Sequence, residues 1–182
     1  DLGTLGPSVN DLGDGDSGPN GLQNWPQVLS SMPNADGSRQ VTVQLDSTPS
    51  KTYRIDVYRA PSCPGGNRGG DMLTRIGTVV AATNAQGSVT QSLAMSGGGA
   101  PGVLVAMATR TDTNDSSEPG SCYLEPIATT TTITNDSPDP SAFGQPYTVT
   151  VLVNAASGTP TGSVTISDGA GNQCTDDTLS GG

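Results

Sequence analysis

The side chains of this chain best suited to chemistry are carboxylates, and they are densest in "DLGDGDSGPNGLQNWP", residues 11–26. Asp11, Asp14, Asp16 and Asn20 are oxygen donors within one loop, and Gly13, Gly15 and Gly18 permit the sharp turns that bring such donors together. Ca²⁺ takes roughly six to eight oxygen ligands, so closely spaced Asp and Asn side chains with free carbonyls can supply most of its shell. The twelve-position spacing and terminal Glu of an EF-hand are missing. The competing reading is a solvated acidic loop held by Asx-turns. Acid–base catalysis does not fit either reading. It needs one carboxyl desolvated to raise its pKa, and a Gly-rich loop offers no apolar pocket.

Asp112, Asn114 and Glu118, in "RTDTNDSSEPGSC", form a second and weaker cation-binding candidate, with Glu125 near enough in sequence to join it. A solvated hairpin turn is its alternative. Asn114 and Asn135 also begin Asn-x-Ser glycosylation sequons. The chain has no histidine, so the commonest general base and a favoured zinc ligand are both missing. Ser, Asp and Cys are present without a base to activate them, and no P-loop, G-x-S-x-G or C-x-x-C motif occurs. These residues predict a protein that is not an enzyme and requires no cofactor, with Ca²⁺ the one ion its loops suit.

Charge narrows the partners. Seventeen acidic residues face seven basic ones, for a net charge of -10. Phosphate recognition needs clustered Lys and Arg, and here they are scattered, so nucleic acid is excluded as a partner. No apolar run is long enough to predict membrane insertion. A single lysine and a surface rich in Thr, Ser and Asn suggest a secreted or cell-surface chain, where disulfides persist. Cys63 and Cys122 fall in the same expected domain and are expected to pair. Cys174 is then left with an intermolecular bridge, a free thiol, or a partner outside this chain. Trp25, the one tryptophan, is expected in the core against the disulfide.

The elements that must position these residues are strands. Short runs rich in Val, Ile, Thr and Tyr alternate with clusters of Gly, Pro, Asn and Asp, which is an all-β pattern. Residues 1–20 show no hydrophobic periodicity and read as an acidic, Gly-rich leader or interdomain linker. In "RQVTVQLDSTPSKTYRIDVYRA", Val41, Val43 and Leu45 alternate with polar residues, and Tyr53, Ile55 and Val57 resume the alternation after a turn. Two such runs predict an antiparallel pair. "PSCPGGNRGGD" reads as a polar loop and "SGGGAPG" as a break. Strands are also expected in "MLTRIGTVVAAT", "SVTQSLAM", "VLVAMATRT" and "SCYLE". The spacing predicts about seven strands over residues 21–125, an Ig-like β-sandwich. Residues 126–182 predict a second such unit with four strands, "ATTTTIT", "YTVTVLVNA", "GSVTISDG" and "QCTDDTLS". Its C-terminal strands are expected beyond Gly182 or from another chain, so the fold expectation is two tandem Ig-like sandwiches, the second incomplete.

Residues 128–182 carry a Thr-rich first strand, "SPDPS", "GQP", "SGTPTGSVTISDG" and a cysteine. Together these resemble a bacterial Ig-like repeat domain of the kind strung in tandem in large surface proteins. The resemblance implies that Cys174 pairs with a cysteine past Gly182. Residues 11–125 carry "GDGDSGPNGLQNWP", "LDSTPSKTYRIDVYRAPSC", "GTVVAATNAQGSVT" and "VAMATRTDTNDSSEPGSC". They resemble a second bacterial surface module often found beside parallel β-helix regions, which implies an extracellular β-sandwich without catalytic residues. Relatives carry Asp-x-x-Gly-Asn-x-Ser-Glu in the last of these segments, and Asp112, Asn114 and Glu118 keep part of it.

The function expected on these grounds is a structural module of a bacterial extracellular filament, stalk or surface adhesin. Its partners would be neighbouring domains or protomers of the same protein and a host or cell-surface ligand. The alternative is a carbohydrate-binding accessory module of a secreted protein.

Overall fold

The computed structural model describes residues 8–34, 36, 38–63, 72, 74–95, 101–176 and 179, and the chain divides into two units, Asp1–Pro126 and Ile127–Gly182. Parts of the expected leader (1–7), of the polar loop (64–71) and of the Gly-rich break (96–100) lie outside the described residues. The protein is all-β. A short 3-10 turn at Pro19–Leu22 is the one helical element among the described residues, and none of their helices is long and apolar enough to cross a membrane.

Among the described residues, unit 1 holds seven strands: β1 (Gln27–Pro33), β2 (Arg39–Asp46), β3 (Thr52–Ala60), β4 (Thr74–Ala82), β5 (Ser88–Met95), β6 (Val103–Arg110) and β7 (Tyr123–Leu124). They form an antiparallel three-stranded sheet, β1-β2-β5, and an antiparallel four-stranded sheet, β4-β3-β6-β7. Period-two alternation puts Val41, Val43 and Leu45 of β2 on one face of the first sheet, and Tyr53, Ile55 and Val57 of β3 on one face of the second. All six are completely buried and share one core with Val28, Leu93, Met95, Leu104, Ala106 and Ala108. Each large aliphatic side chain buried this way contributes about 1.5–3 kcal/mol.

The antiparallel pair expected between the two clearest runs does not form. β2 pairs with β1 and β5, whereas β3 pairs with β4 and β6. The turn-rich linker between them is a crossover from sheet to sheet. A hairpin would have set both apolar faces side by side on one sheet, still uncovered. The crossover makes each face cover the other.

A bulge between Val28 and Ser30 in β1 resets the alternation, so that both Val28 and Ser31 are buried. A second cluster, made of Tyr58, Ala60, Cys63, Val103, Val105 and Cys122, uses the opposite side of β3 and β6 from the main core. Trp25 is buried, as expected, but belongs to neither cluster. It precedes β1 and lies under residues 8–10, with its indole N–H donating to the Ser8 carbonyl at 3.0 Å. A Cβ at Gly120 would collide with the Pro26 carbonyl and come within 2.9 Å of the Trp25 ring. Gly120→Ala is therefore expected to destabilise unit 1 by about 1–3 kcal/mol, the usual scale of overpacking. Urea unfolding followed by Trp25 fluorescence measures it.

Unit 2 contains β8 (Thr129–Ser137), β9 (Thr148–Ala155), β10 (Val164–Ser167) and β11 (Gln173–Asp176), in the four segments expected. They pair as two antiparallel two-stranded sheets, β8-β9 and β10-β11. Val149, Val151, Val153, Val164 and Ile166 alternate along the strands and are half-buried. No described residue of this unit is fully buried.

Candidate metal centre

The 11–16 loop is built on its own side chains. Gly13 (φ 76°) and Asp14 (φ 57°) turn the chain through left-handed geometry, and the Gly15 N–H donates to Asp11 Oδ2 at 3.1 Å. The turn brings carboxylate oxygens of Asp11, Asp14 and Asp16 within 4.8 Å of one another. These are three of the four donors expected from sequence. Asn20, the fourth, lies in the 3-10 turn, where its carbonyl accepts from the Gln23 N–H at 3.1 Å.

Asn24, which spacing gave no reason to single out, fixes the loop to the sandwich. Its side-chain oxygen accepts from the Asp11 N–H (3.1 Å), and its amide nitrogen donates to the carbonyls of Asp11 (2.7 Å) and Asp46 (2.9 Å). The Asn24 N–H donates to Asp14 Oδ1 at 2.7 Å. Asp14 Oδ2 accepts from the fully buried Ser47 hydroxyl at 2.8 Å, and Ser47 Oγ lies 2.9 Å from the Tyr53 hydroxyl. A continuous polar path thus runs from the acidic loop to a core tyrosine. Asn10 brackets Trp25 in the same way, accepting from its N–H at 2.9 Å and donating to its carbonyl at 2.7 Å. From Ser8 onward the segment expected as a leader is bonded into unit 1.

Among the described residues no ion pair involves a carboxylate of this loop. Burial, then the charges of Asp11 and Asp14, push the Asp16 carboxyl above the ordinary carboxylate range. Asp11 Oδ1 is sealed from solvent and accepts no hydrogen bond.

The second candidate does not assemble. Asp112 binds Arg110 at 2.6 Å and Lys51 at 3.0 Å, and these two cations, Arg110 foremost, hold its carboxyl well below the usual range. Glu118 accepts a hydrogen bond from the Ser8 N–H. Asn114 sits in a left-handed turn (φ 63°), its N–H donating to the Arg110 carbonyl at 2.9 Å. Glu125 is not a cation ligand for that loop. Its fully buried carboxylate lies 2.7 Å from Arg39 Nε and 3.0 Å from Arg59 Nη1, and accepts from Ser31 Oγ and the Gly102 N–H. The sequence offered no signal for this cluster, because its members come from separate strands.

Cys63 and Cys122 are joined as a disulfide, with Cα atoms 5.9 Å apart. Cys174 is an exposed free thiol on β11. It lines a groove of about 380 Å³ with Tyr147, Val149, Ile166 and Asp168, and no histidine exists to serve it as a base.

No protein-family model matches this chain, and no curated protein matches it either.

Proposed function

We propose that the chain is a non-enzymatic structural segment of a bacterial extracellular filament, stalk or surface adhesin, built from tandem Ig-like domains. One observation carries the reading. A seven-stranded unit with sheets β1-β2-β5 and β4-β3-β6-β7 closed on one apolar core is followed directly by a second all-β unit. The disulfide supports an oxidising, extracellular setting. The mechanism is geometric: rigid sandwiches in series set the reach of the assembly and bear load along it. The partners are neighbouring domains or protomers of the same protein and the surface ligand of an adhesin.

Pulling the chain from its two ends in an atomic force microscope tests the load-bearing part. Unit 1 is expected to unfold in one discrete step under oxidising conditions. Reduction should lengthen that step by the chain closed between the cysteines, a sequence separation of 59, about 200 Å at the reach of extended chain. A featureless extension without a force peak speaks against a load-bearing module.

A carbohydrate-binding accessory module is the second reading, favoured by the exposed rings of Phe143 and Tyr147 on unit 2. Saturable glycan binding that is lost in Phe143→Ala and Tyr147→Ala would reverse the order of the two.

A further inference from the structure

We propose that Asn114 is an acceptor for N-linked glycan in the folded first unit, and that Asn135, in the chain's other Asn-x-Ser sequon, is not. Both asparagines are exposed and head the same tripeptide, Asn-Asp-Ser. The fold separates them. Residues 111–114 form an exposed turn after β6. The Arg110 N–H closes it on the Asp115 carbonyl at 2.8 Å, and the Asn114 N–H donates to the Arg110 carbonyl at 2.9 Å. Asn114 ends the turn at φ 63°, a conformation of turns rather than of strands. Among the described residues its side-chain amide makes no hydrogen bond. Asn135 lies inside β8 instead. There Asn135, Asp136 and Ser137 pair in register with Thr150, Val149 and Thr148 of β9.

The chemistry explains why the backbone decides. An amide nitrogen is a weak nucleophile, because its lone pair is delocalised into the carbonyl. A transferase must therefore take the whole tripeptide into its site, bind the hydroxyl two residues on, and turn the Asn amide toward the donor. A surface turn can be drawn into that geometry for few backbone bonds. A strand cannot without breaking its ladder. The donor is a lipid-pyrophosphate-linked oligosaccharide. Asn114 Nδ2 attacks C1 of its first sugar, and the N–C1 bond forms as the C1–O bond to phosphate breaks. The electron pair leaves with the lipid pyrophosphate, and the amide gives up one proton to a base of the transferase. Ser116, the hydroxyl of the sequon, is half-buried with its Oγ 2.9 Å from the Thr109 hydroxyl, so it exchanges that partner when the transferase binds. Modification in the organism rests on the extracellular reading above. The acceptor property belongs to the folded chain and is measured apart from it.

Folded, disulfide-bonded chain incubated with an oligosaccharyltransferase and a lipid-linked oligosaccharide, then mapped by glycopeptide mass spectrometry, tests this. The expected product carries a single glycan on Asn114, with Asn135 unmodified. Asn114→Asp and Asn114→Gly both tolerate the left-handed turn, and each should abolish transfer. Ser116→Ala should abolish it as well, Ser116→Thr should retain it, and Asn135→Asp should change nothing. Trp25 emission and the urea midpoint of each variant show that it is folded. No transfer to the folded parent would overturn the proposal. So would transfer to Asn135 equal to that at Asn114, or a glycan that persists in Asn114→Asp. Cell fractionation of the native chain tests the extracellular reading separately, so a chain found in the cytoplasm that still accepts glycan in vitro counts against that reading and for the acceptor.

Discussion

Replacing Cys63 and Cys122 by serine is expected to remove about 4 kcal/mol from the stability of unit 1, the chain-entropy value for a closed loop of this length. The bridge spans 59 residues, from the end of β3 to the start of β7, and closes across β4, β5 and β6. Without it the unfolded chain regains the freedom of that loop, and the native state loses part of the small cluster that buries Val105 and Ala60. Unit 1 depends on this constraint because its main core is assembled by crossovers, so the strands that meet are distant in sequence. In urea the midpoint should fall by about 2 M, taking an m-value near the middle of the usual range. Dithiothreitol acting on the parent protein should reproduce the shift and leave the double variant unchanged. A midpoint within a few tenths of a molar of the parent would mean that the loop is already constrained in the unfolded ensemble. The entropic account would then fail for this bridge.

How much of this was legible in the sequence depends on the range of the interaction concerned. Alternation in residues 39–46 and 52–60 named the buried residues correctly, because a strand's two faces are set by neighbours two positions apart. The same pattern could not say which strands pair. A face that reads "apolar" is served equally by a hairpin partner or by a facing sheet, and the latter formed. The acidic loop was legible for the same local reason: glycine turns over six residues bring Asp11, Asp14 and Asp16 together without help. The fastening of that loop by Asn24, Ser47 and Tyr53 was not, since it depends on where β2 and β3 lie. The loop at 112–118 shows the opposite error. Its composition resembles the first loop, yet Lys51 and Arg110 reach Asp112 and take the place a cation would have held. Unit 2 was legible as four strands, while the half-burial of Val149, Val151, Val153, Val164 and Ile166 is a tertiary fact that no spacing encodes.

Glu125 was misread for that reason, and its removal is expected to be as costly as loss of the disulfide. Its carboxylate is wholly buried and holds four groups at once: Arg39 from β2, Arg59 from β3, the Ser31 hydroxyl from β1 and the Gly102 N–H ahead of β6. Both sheets therefore meet on one side chain immediately before the unit boundary at Pro126. Glu125→Ala leaves the Arg39 guanidinium, whose side chain is only 9% exposed, without its carboxylate. Breaking a buried pair in this way costs about 3–5 kcal/mol. Glu125→Gln keeps the shape and one acceptor, and should cost less. Burial works to raise the Glu125 carboxyl, but the Ser31 and Gly102 hydrogen bonds and then the two arginines outweigh it, and the group stays below its ordinary value. A carboxyl depressed in the folded state stabilises above its unfolded pKa. It loses that contribution as pH falls through the folded value, so unit 1 should weaken on acidification and Glu125→Gln should flatten that slope. The pair need not be net stabilising. Replacing Arg39 and Glu125 together by Met and Leu is expected to restore most of what Glu125→Ala loses, because desolvating both charges is then avoided. Equilibrium unfolding of the three variants separates the two quantities. A double variant as damaged as Glu125→Ala would show that Ser31, Arg59 and Gly102 need the carboxylate in their own right, and that the cluster acts as one unit rather than as a pair.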